Sequence, residues 1–332
     1  MPALEGRGRT SRAPLRVLIV GAGAVGQVYG HYLQRGGAHV AFFVRPKHRA
    51  EASDELRLYL MRGKRGRELH TWRADEVLCD PERAAARGFD QIWLCISTAA
   101  LERSLEAKDE LATLLEKTAG TTVVSMGPGL HLKKLLAPYV PERRRVDGGI
   151  TMVSYQAPLV EGEVDAPGIA AYLPGPSPFS GAEAQRVVDA LRRGGAPAKV
   201  HPDTGALMAY GSATLMPTMA ALEGAGWELA GMRKGPWAKL AADASAEARA
   251  IVAAQVDASP PFGVGFVTAS TLKLASWMAP KIAPFEVEIY LQYHFTKVRD
   301  QTERLLARYV EEGEALRLPH RALSELRARV FG

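Results

Sequence analysis

Six residues near the start of the chain have the types and spacing needed to bind a phosphate group. Residues 21–26 read G-A-G-A-V-G and follow the apolar run Val17–Val20. In such a turn Gly21 allows a tight bend, Gly23 lets a pyrophosphate approach the backbone, and Gly26 lets a helix pack closely on the preceding strand. The free N–H groups at the helix N-terminus then bind the phosphates. The segment therefore predicts a dinucleotide site made by Gly21, Ala22, Gly23, Ala24, Val25 and Gly26.

The surrounding elements have to position this turn, and their pattern agrees with it. A helical pattern follows the glycines and ends at Gly36-Gly37, and a second apolar run, Val40–Val44, completes a β-α-β unit. A unit of this kind is the usual context of the motif. A glycine-rich turn without a ligand is the alternative interpretation.

The end of the second predicted strand indicates which dinucleotide binds. NAD-binding units place an acidic residue there for the ribose 2′-hydroxyl, whereas this chain has Arg45 and Lys47. A guanidinium binds a phosphate through two N–H groups. These cations therefore predict NADP(H) rather than NAD, unless they only belong to a solvated loop.

The remaining pattern predicts an α/β chain with two domains. Strand-like and helical segments alternate up to about residue 202, which is typical of a Rossmann-type parallel sheet with helices on both faces. From residue 203 onward the pattern is all helical, with one long helix from Val287 to Tyr309. We therefore expect a disordered tail over residues 1–13, an NADP-binding domain over 14–202 and a helical substrate and dimerisation domain over 203–332. The site should lie in the cleft between these domains, and Ser97, after the central strand 90–96, is expected to contact the cofactor.

Composition restricts the class of protein. The chain has 332 residues, of which 47% are hydrophobic and 23% charged, with a net charge of +6. No clustered basic face suggests nucleic-acid binding, and the two cysteines form no metal-binding pattern. The uncharged run Thr204–Leu222 contains glycines and Pro217, so it predicts a buried helix rather than a membrane span. Without a secretory signal, we expect a cytoplasmic protein, and a homodimer is compatible with the apolar helical part.

This order of motifs resembles the ketopantoate reductase (2-dehydropantoate 2-reductase) family over most of the chain. The glycine turn with Arg45 is similar to the NADP-binding half of that family, and Met126-Gly127-Pro128-Gly129 stands where the family has a Gln-Asn-Gly turn. Ser276 and Glu288 match a Ser…Glu pair that contacts substrate and cofactor in the family. The resemblance implies hydride transfer between NADP(H) and a keto or imine carbon, with Pro128 and Glu288 near the cofactor and Ser276 near the substrate.

The chain departs from this family at the proton donor. The family has a lysine, followed by two asparagines at four-residue steps on one helix face. The best register places Met208, Ser212 and Met216 at these positions, and a shift by one gives Ala209, Ala213 and Pro217. No lysine occurs between Lys199 and Lys234, and the chain has no asparagine. These residues imply a substrate pocket more apolar than one built for ketopantoate.

Another group must then polarise the carbonyl and supply a proton. Tyr290, His294 and Lys297 share one stripe of the predicted last helix, and Glu288 is close to it in sequence. We expect Glu288, His294 and Lys297 to be the catalytic candidates, with ordinary packing as the alternative for each. Two other functions remain open: a non-catalytic NADP-binding sensor or assembly protein, and a true 2-dehydropantoate 2-reductase with a substitute proton donor.

Overall fold

The computed structural model describes residues 13–63, 66–118, 120–127, 130–261 and 266–332. The predicted tail, except for Ala13, and Pro128 lie outside the described residues. The strands are β1 (Arg16–Val20), β2 (His39–Phe43), β3 (Leu56–Met61), β4 (Arg67–Trp72), β5 (Glu76–Leu78), β6 (Gln91–Leu94), β7 (Thr122–Ser125), β8 (Arg145–Gly148), β9 (Val153–Ala157), β10 (Gly168–Tyr172), β11 (Ser177–Ser180) and β12 (Ala198–Val200).

The helices are α1 (Ala24–Arg35), α2 (Arg49–Ser53), α3 (Pro81–Ala86), α4 (Thr98–Glu106), α5 (Glu110–Lys117), α6 (Leu130–Leu136), α7 (Ala184–Arg193), α8 (Thr204–Gly224), α9 (Leu229–Lys234), α10 (Trp237–Ala253), α11 (Ala269–Ile282), α12 (Val287–Lys297), α13 (Arg299–Leu316) and α14 (Arg321–Phe331). The mixed part ends with β12, and the described residues after it are helical. This confirms the predicted α/β fold class with a helical C-terminal part. The division into two domains near residue 203 stays a prediction.

The large sheet has eight strands in the order β12-β11-β8-β7-β6-β1-β2-β5. Six neighbouring strands of this order, β8-β7-β6-β1-β2-β5, are parallel to one another. Strand β11 pairs with β8 in the antiparallel direction, and β12 pairs with β11 in the parallel direction. The central strands β6 and β7 are fully buried, as expected of a sheet covered on both faces. The carboxyl ends of β1, β2, β6, β7 and β8 therefore meet at one edge, which is where such sheets bind ligands.

A second sheet, with the order β4-β3-β10-β9, packs against α1. Leu58 and Ile169 of this sheet share one buried cluster with Val28 of α1 and Ile19 of β1. Helix α1 is thus held between two sheets. The sequence pattern indicates β3 and β4 as strands, but their membership of a separate sheet was not predicted.

The helical part has its own core, to which α8, α10, α13 and α14 contribute. The prediction of one long helix from Val287 to Tyr309 is wrong, because the chain leaves the helical conformation at Val298, with φ −117° and ψ 24°. Both helices contribute to the helical core, α12 through Val287 and Phe295 and α13 through Tyr309. Tyr290 of α12 also packs against the second sheet. None of the helices in the described part of the chain has the length and apolar character to cross a membrane.

Candidate functional site

The glycine turn joins β1 to α1 at the carboxyl edge of the large sheet. Gly21 has a φ of +97°, which favours glycine, and its N–H donates to the carbonyl of Phe43 at 3.0 Å. A Cβ on Gly26 would lie 2.1 Å from the carbonyl oxygen of Gly21. Both glycines are therefore required by the turn itself.

Gly23 is different, since it precedes α1 and faces open space. A Cβ built on Gly23 meets no heavy atom within 4 Å. Helix α1 has no side-chain hydrogen bond at its N-cap and no acidic residue in its first turn. Its first N–H groups and the positive end of its dipole therefore point to a space that suits the pyrophosphate of a dinucleotide. Ala22, Ala24 and Val25 pack on the core beneath this turn.

Arg45 and Lys47 follow β2 at the same edge. Because Gly21 bonds the carbonyl of Phe43, the backbone at Arg45 lies two residues from the glycine turn. Both cations are exposed, and neither forms an ion pair with another residue in the described ranges. Their charges are thus available to an anionic group at the end of β2.

The loop after β6 packs against the glycine turn. A Cβ on Gly21 would lie 2.7 Å from a methyl carbon of Ile96 and 3.1 Å from the carbonyl oxygen of Cys95. Ser97, the next residue, is exposed, and its hydroxyl oxygen accepts the N–H of Ala100 at 3.2 Å as the N-cap of α4. The predicted cofactor contact of Ser97 would therefore use its hydroxyl hydrogen.

Helix α8 carries Met208, Ser212 and Met216, the residues that the sequence resemblance aligns with the family's lysine and asparagines. Met208 packs at the end of β8, because a Cβ on Gly149 would lie 2.7 Å from its sulfur. Ser212 is half-buried, and its hydroxyl has no hydrogen-bond partner among the described residues. Met216 lies deeper in the helical part, where the hydroxyl of Thr302 approaches its sulfur at 4.0 Å. Met208 and Ser212 are thus near the sheet edge, whereas Met216 contacts α13.

Ser276 and Glu288 both contact the short helix α9. The N–H of Leu229 donates to Glu288 at 2.7 Å, and Arg233 donates to the carbonyl of Ser276 at 3.1 Å. The hydroxyl of Ser276 donates to the carbonyl of Lys273 at 2.8 Å. The spacing of this pair is therefore explained by packing on α9 as well as by the roles that the resemblance implies.

His294 and Lys297 lie on α12, but the structure does not bring them together with Glu288 in one cluster. The ring of His294 stacks on Tyr290 with 5.5 Å between centroids, and Lys297 is exposed. Burial, and then the charge of Lys297, lowers the pKa of His294. This favours a neutral imidazole, so the contacts of His294 suit packing better than proton donation, and the catalytic role stays a prediction.

A charged cluster that the sequence reasoning missed lies at the carboxyl ends of β7 and β8. The ammonium nitrogen (Nζ) of Lys133 in α6 is 3.4 Å from Asp203 and 3.6 Å from Asp147. Burial raises the pKa of Asp147, against the opposing charges of Arg145 and Lys133. The available signal was that Lys133 follows the end of the buried strand β7 within eight residues. No group of three or more potential metal-binding side chains occurs in the residues that the structure describes.

The sheet order, the glycine turn and the open helix N-terminus define a Rossmann-type dinucleotide-binding fold with a helical C-terminal part. Residues 17–165 match the family model described as ketopantoate reductase PanE/ApbA. The N-terminal part of this chain is thus similar to the ketopantoate reductase family, whose members are NAD(P)-dependent oxidoreductases. The resemblance inferred from the sequence is confirmed. No curated protein sequence matches the chain significantly.

Solved structures agree with this fold over almost the whole chain. A 2-dehydropantoate 2-reductase from Geobacter metallireducens has a TM-score of 0.71 at 18% identity, covering 95% of this chain and 99% of its own. A ternary structure of D-mandelate dehydrogenase with NADH and anilino(oxo)acetate has a TM-score of 0.70 at 16% identity, covering 96% and 97%. A PanE/ApbA family ketopantoate reductase from Ralstonia eutropha has a TM-score of 0.66 at 20% identity, covering 95% and 97%. At these identities the likeness establishes the fold.

Proposed function

We propose that this protein is an NADP(H)-dependent reductase that transfers a hydride to the keto or imine carbon of a small substrate. The observation that carries the proposal is the open space at Gly23, in front of the uncapped N-terminus of α1. In a turn with a purely structural role, a capping side chain at this position would stabilise the helix. A bound pyrophosphate instead needs the N–H groups of the helix to be free.

The preference for NADP(H) is supported by Arg45 and Lys47. Both are exposed cations without an ion-pair partner in the described residues, and Gly21 ties the end of β2 to the glycine turn. A 2′-phosphate on the adenosine ribose would meet these charges, and Arg45 can bind it through two N–H groups.

The substrate is proposed to be bulkier or less polar than ketopantoate. Met208 replaces a charged residue at the start of the α8 face, and Ser212 offers one hydroxyl without a protein partner. A thioether adapts to apolar groups, while a single hydroxyl can orient one polar atom. The structural neighbour that binds anilino(oxo)acetate is a D-mandelate dehydrogenase, and its ligand, an aromatic 2-oxo acid derivative, has the chemistry that such a pocket would take.

In this mechanism the bound cofactor supplies the hydride, and the chain supplies orientation and charge. The N–H groups of α1 would hold the pyrophosphate, Arg45 and Lys47 would hold the 2′-phosphate, and the hydroxyl of Ser97 would donate to the ribose or the nicotinamide. Ser212, with Ser276 from the helical part, orients the substrate. Glu288, His294 and Lys297 remain the proton-transfer candidates that the sequence suggested.

The test is an assay of the purified full chain for NADPH oxidation with 2-dehydropantoate, phenylglyoxylate and smaller 2-keto acids. We expect turnover, with the aromatic keto acid favoured over 2-dehydropantoate. A preference for 2-dehydropantoate would instead identify a true 2-dehydropantoate 2-reductase with a substitute donor. Tight NADPH binding without turnover of any compound would contradict the reductase.

A second candidate function is a non-catalytic NADP(H)-binding sensor or assembly protein. It is favoured by Met208 at the lysine position and by the contacts of Ser276 and Glu288 with α9. Two variants discriminate between these candidates. In a reductase that uses these groups, His294→Ala and Glu288→Gln should lose turnover and keep NADPH affinity; a sensor has no turnover to lose.

A homodimer is part of the proposal. Helix α11 exposes Leu274, Trp277 and Ile282, whose exposed fractions are 55%, 51% and 60%. Exposed apolar side chains clustered on one helix are typical of an interaction surface. Sedimentation of the wild-type protein and of Trp277→Glu tests this, since a dimer through α11 should become a monomer in the variant. A wild-type monomer would contradict it.

A further inference from the structure

Lys133 is a charged group whose contacts place it beside the N-terminal turn of α8. It belongs to α6, which follows β7, and its ammonium nitrogen lies 3.4 Å from the N-cap carboxylate of Asp203 and 3.6 Å from the carboxylate of Asp147 in β8. It therefore joins the start of α8 to the carboxyl end of the large sheet.

Gly205 provides the space that Lys133 fills. A Cβ on Gly205 would lie 2.8 Å from Cε and 3.0 Å from Nζ of Lys133. At about 100° per residue, Gly205, Met208 and Ser212 fall within roughly 60° of one another around the α8 axis. The ammonium group of Lys133 thus lies on the face of α8 from which the family's lysine would project, one turn before Met208.

The sheet supports the same placement. Asp147 is the third residue of β8, and Gly149 is the first residue after this strand. Lys133 contacts Asp147, and Met208 packs on Gly149. Lys133 and Met208 are therefore neighbours over the same part of the edge at which the sheet binds its ligand.

We propose that Lys133 takes the role of the lysine that α8 lacks, as the cation that polarises the substrate carbonyl and protonates its oxygen. This inference rests on the proposed reductase function. As the hydride adds to the carbonyl carbon with its two electrons, the C–O double bond becomes single, an N–H bond of Lys133 breaks and an O–H bond forms. The neutral amine then regains a proton from water.

The alternative is that Lys133 only connects α6 to α8. Its two ion-pair distances exceed the roughly 2.7–2.9 Å of strong charge-assisted hydrogen bonds, and 32% of its side chain is exposed. The ammonium group has three donors, so it retains capacity for a substrate oxygen. Burial opposes ionisation of Asp203, but the N–H of Ala206 and the charge of Lys133 lower its pKa, so this carboxylate holds Lys133 in place.

The test compares Lys133→Met with Lys134→Met, its exposed neighbour on α6, in the full chain. We measure the Kd for NADPH, the Kd for oxamate (an unreactive 2-keto acid analogue) in the presence of NADPH, and kcat against pH with the keto acid that is turned over. Lys133→Met should lower kcat by about 10²-fold or more and weaken oxamate binding about tenfold. The Kd for NADPH should stay within about twofold of wild type, and Lys134→Met should behave as wild type.

The pH profile separates proton donation from a purely structural role. The groups that face Lys133 are Asp147 and Asp203, with Arg145 next to Asp147 at 3.3 Å. The alkaline fall in kcat, which reports loss of the donor's proton, should be present in wild type and absent in Lys133→Met. The double variant Lys133→Met/Met208→Lys should recover about tenfold or more of the lost kcat, since it restores a lysine on the same face.

Each outcome bears on one of the two proposals. Turnover by Lys133→Met within about threefold of wild type, with an unchanged pH profile, overturns the role of Lys133 and leaves the reductase standing. If the wild type has no turnover but its oxamate binding depends on Lys133, the reductase function is refuted. The result would still support Lys133 as a group that binds a carboxylate or carbonyl. An equal Kd for oxamate in wild type and Lys133→Met overturns the inference in either case. If Lys133→Met does not fold, Gly205→Ala, which crowds Nζ without removing it, is expected to lower kcat in the same direction.

Discussion

The carbonyl oxygen of Gly21 lies so close to Gly26 that no side chain fits at residue 26. A Cβ at residue 26 would lie 2.1 Å from that oxygen, a distance that requires the backbone to move. A Cβ on Gly23 would meet no heavy atom within 4 Å. The turn itself therefore requires glycine at residue 26 but not at residue 23, in agreement with the separate roles that the sequence motif gives these two residues.

We predict that Gly26→Ala lowers the free energy of unfolding by about 2 kcal/mol or more, because helix α1 must shift away from β1. Gly23→Ala should change it by less than about 1 kcal/mol. The same Gly23→Ala variant should weaken NADPH binding by about tenfold or more, because its methyl group would enter the space for the pyrophosphate. Urea unfolding and titration with NADPH measure the two effects. Equal NADPH affinity in wild type and Gly23→Ala would show that the pyrophosphate does not bind at this turn.

Arg45 provides a test of cofactor preference. We predict that Arg45→Ala weakens NADPH binding by about 10- to 100-fold, while the Kd for NADH changes by less than about threefold, because only NADPH carries the 2′-phosphate. Lys47→Ala should have the same direction and a smaller effect. Arg49→Ala, which changes an exposed cation at the start of α2, serves as the matched control. A similar loss of affinity for both dinucleotides would place Arg45 elsewhere than at the 2′-phosphate.

The glycine turn could be predicted from the sequence because strand, turn and helix are contiguous, so local pattern and spacing determine the geometry. The second sheet could not be predicted, because β3 pairs with β10, a strand far away in the chain. The break at Val298 was missed because the apolar stripe continues through it. Val287 and Phe295 before the break and Tyr309 after it lie in the same helical core.

The helical half of the candidate site shows the same limit. Ser276 and Glu288 are recognisable by their spacing, yet their shared contact with α9 depends on tertiary packing. Lys133 has no spacing relationship with Met208 in the sequence, and only the folded chain brings α6 to the face of α8. When a residue on one helix takes the role of a residue on another helix, the sequence contains no local pattern that shows it.

Glu288 allows the packing role to be measured. We predict that Glu288→Ala lowers the free energy of unfolding by about 1 to 2 kcal/mol, because the buried N–H of Leu229 loses its acceptor. Glu288→Gln keeps an acceptor oxygen and should lose less than about half of that. Urea unfolding of both variants, with NADPH titration alongside, checks this. Unchanged stability in Glu288→Ala together with a large loss of kcat would instead support the catalytic role.

His31 is expected to make stability depend on pH. It is buried in α1, with its ring 5.0 Å from that of His70, and burial, followed by the charges of His70 and Arg35, lowers its pKa from 6.5 to about 4. Between these values the unfolded chain binds a proton that the folded chain does not, so this contribution to stability is complete above pH 6.5 and is lost as the pH falls toward 4. The loss should reach about 2 to 3 kcal/mol, measured by urea unfolding at a series of pH values. His31→Gln should flatten this part of the profile. An equal slope in wild type and His31→Gln would assign the pH dependence to other groups.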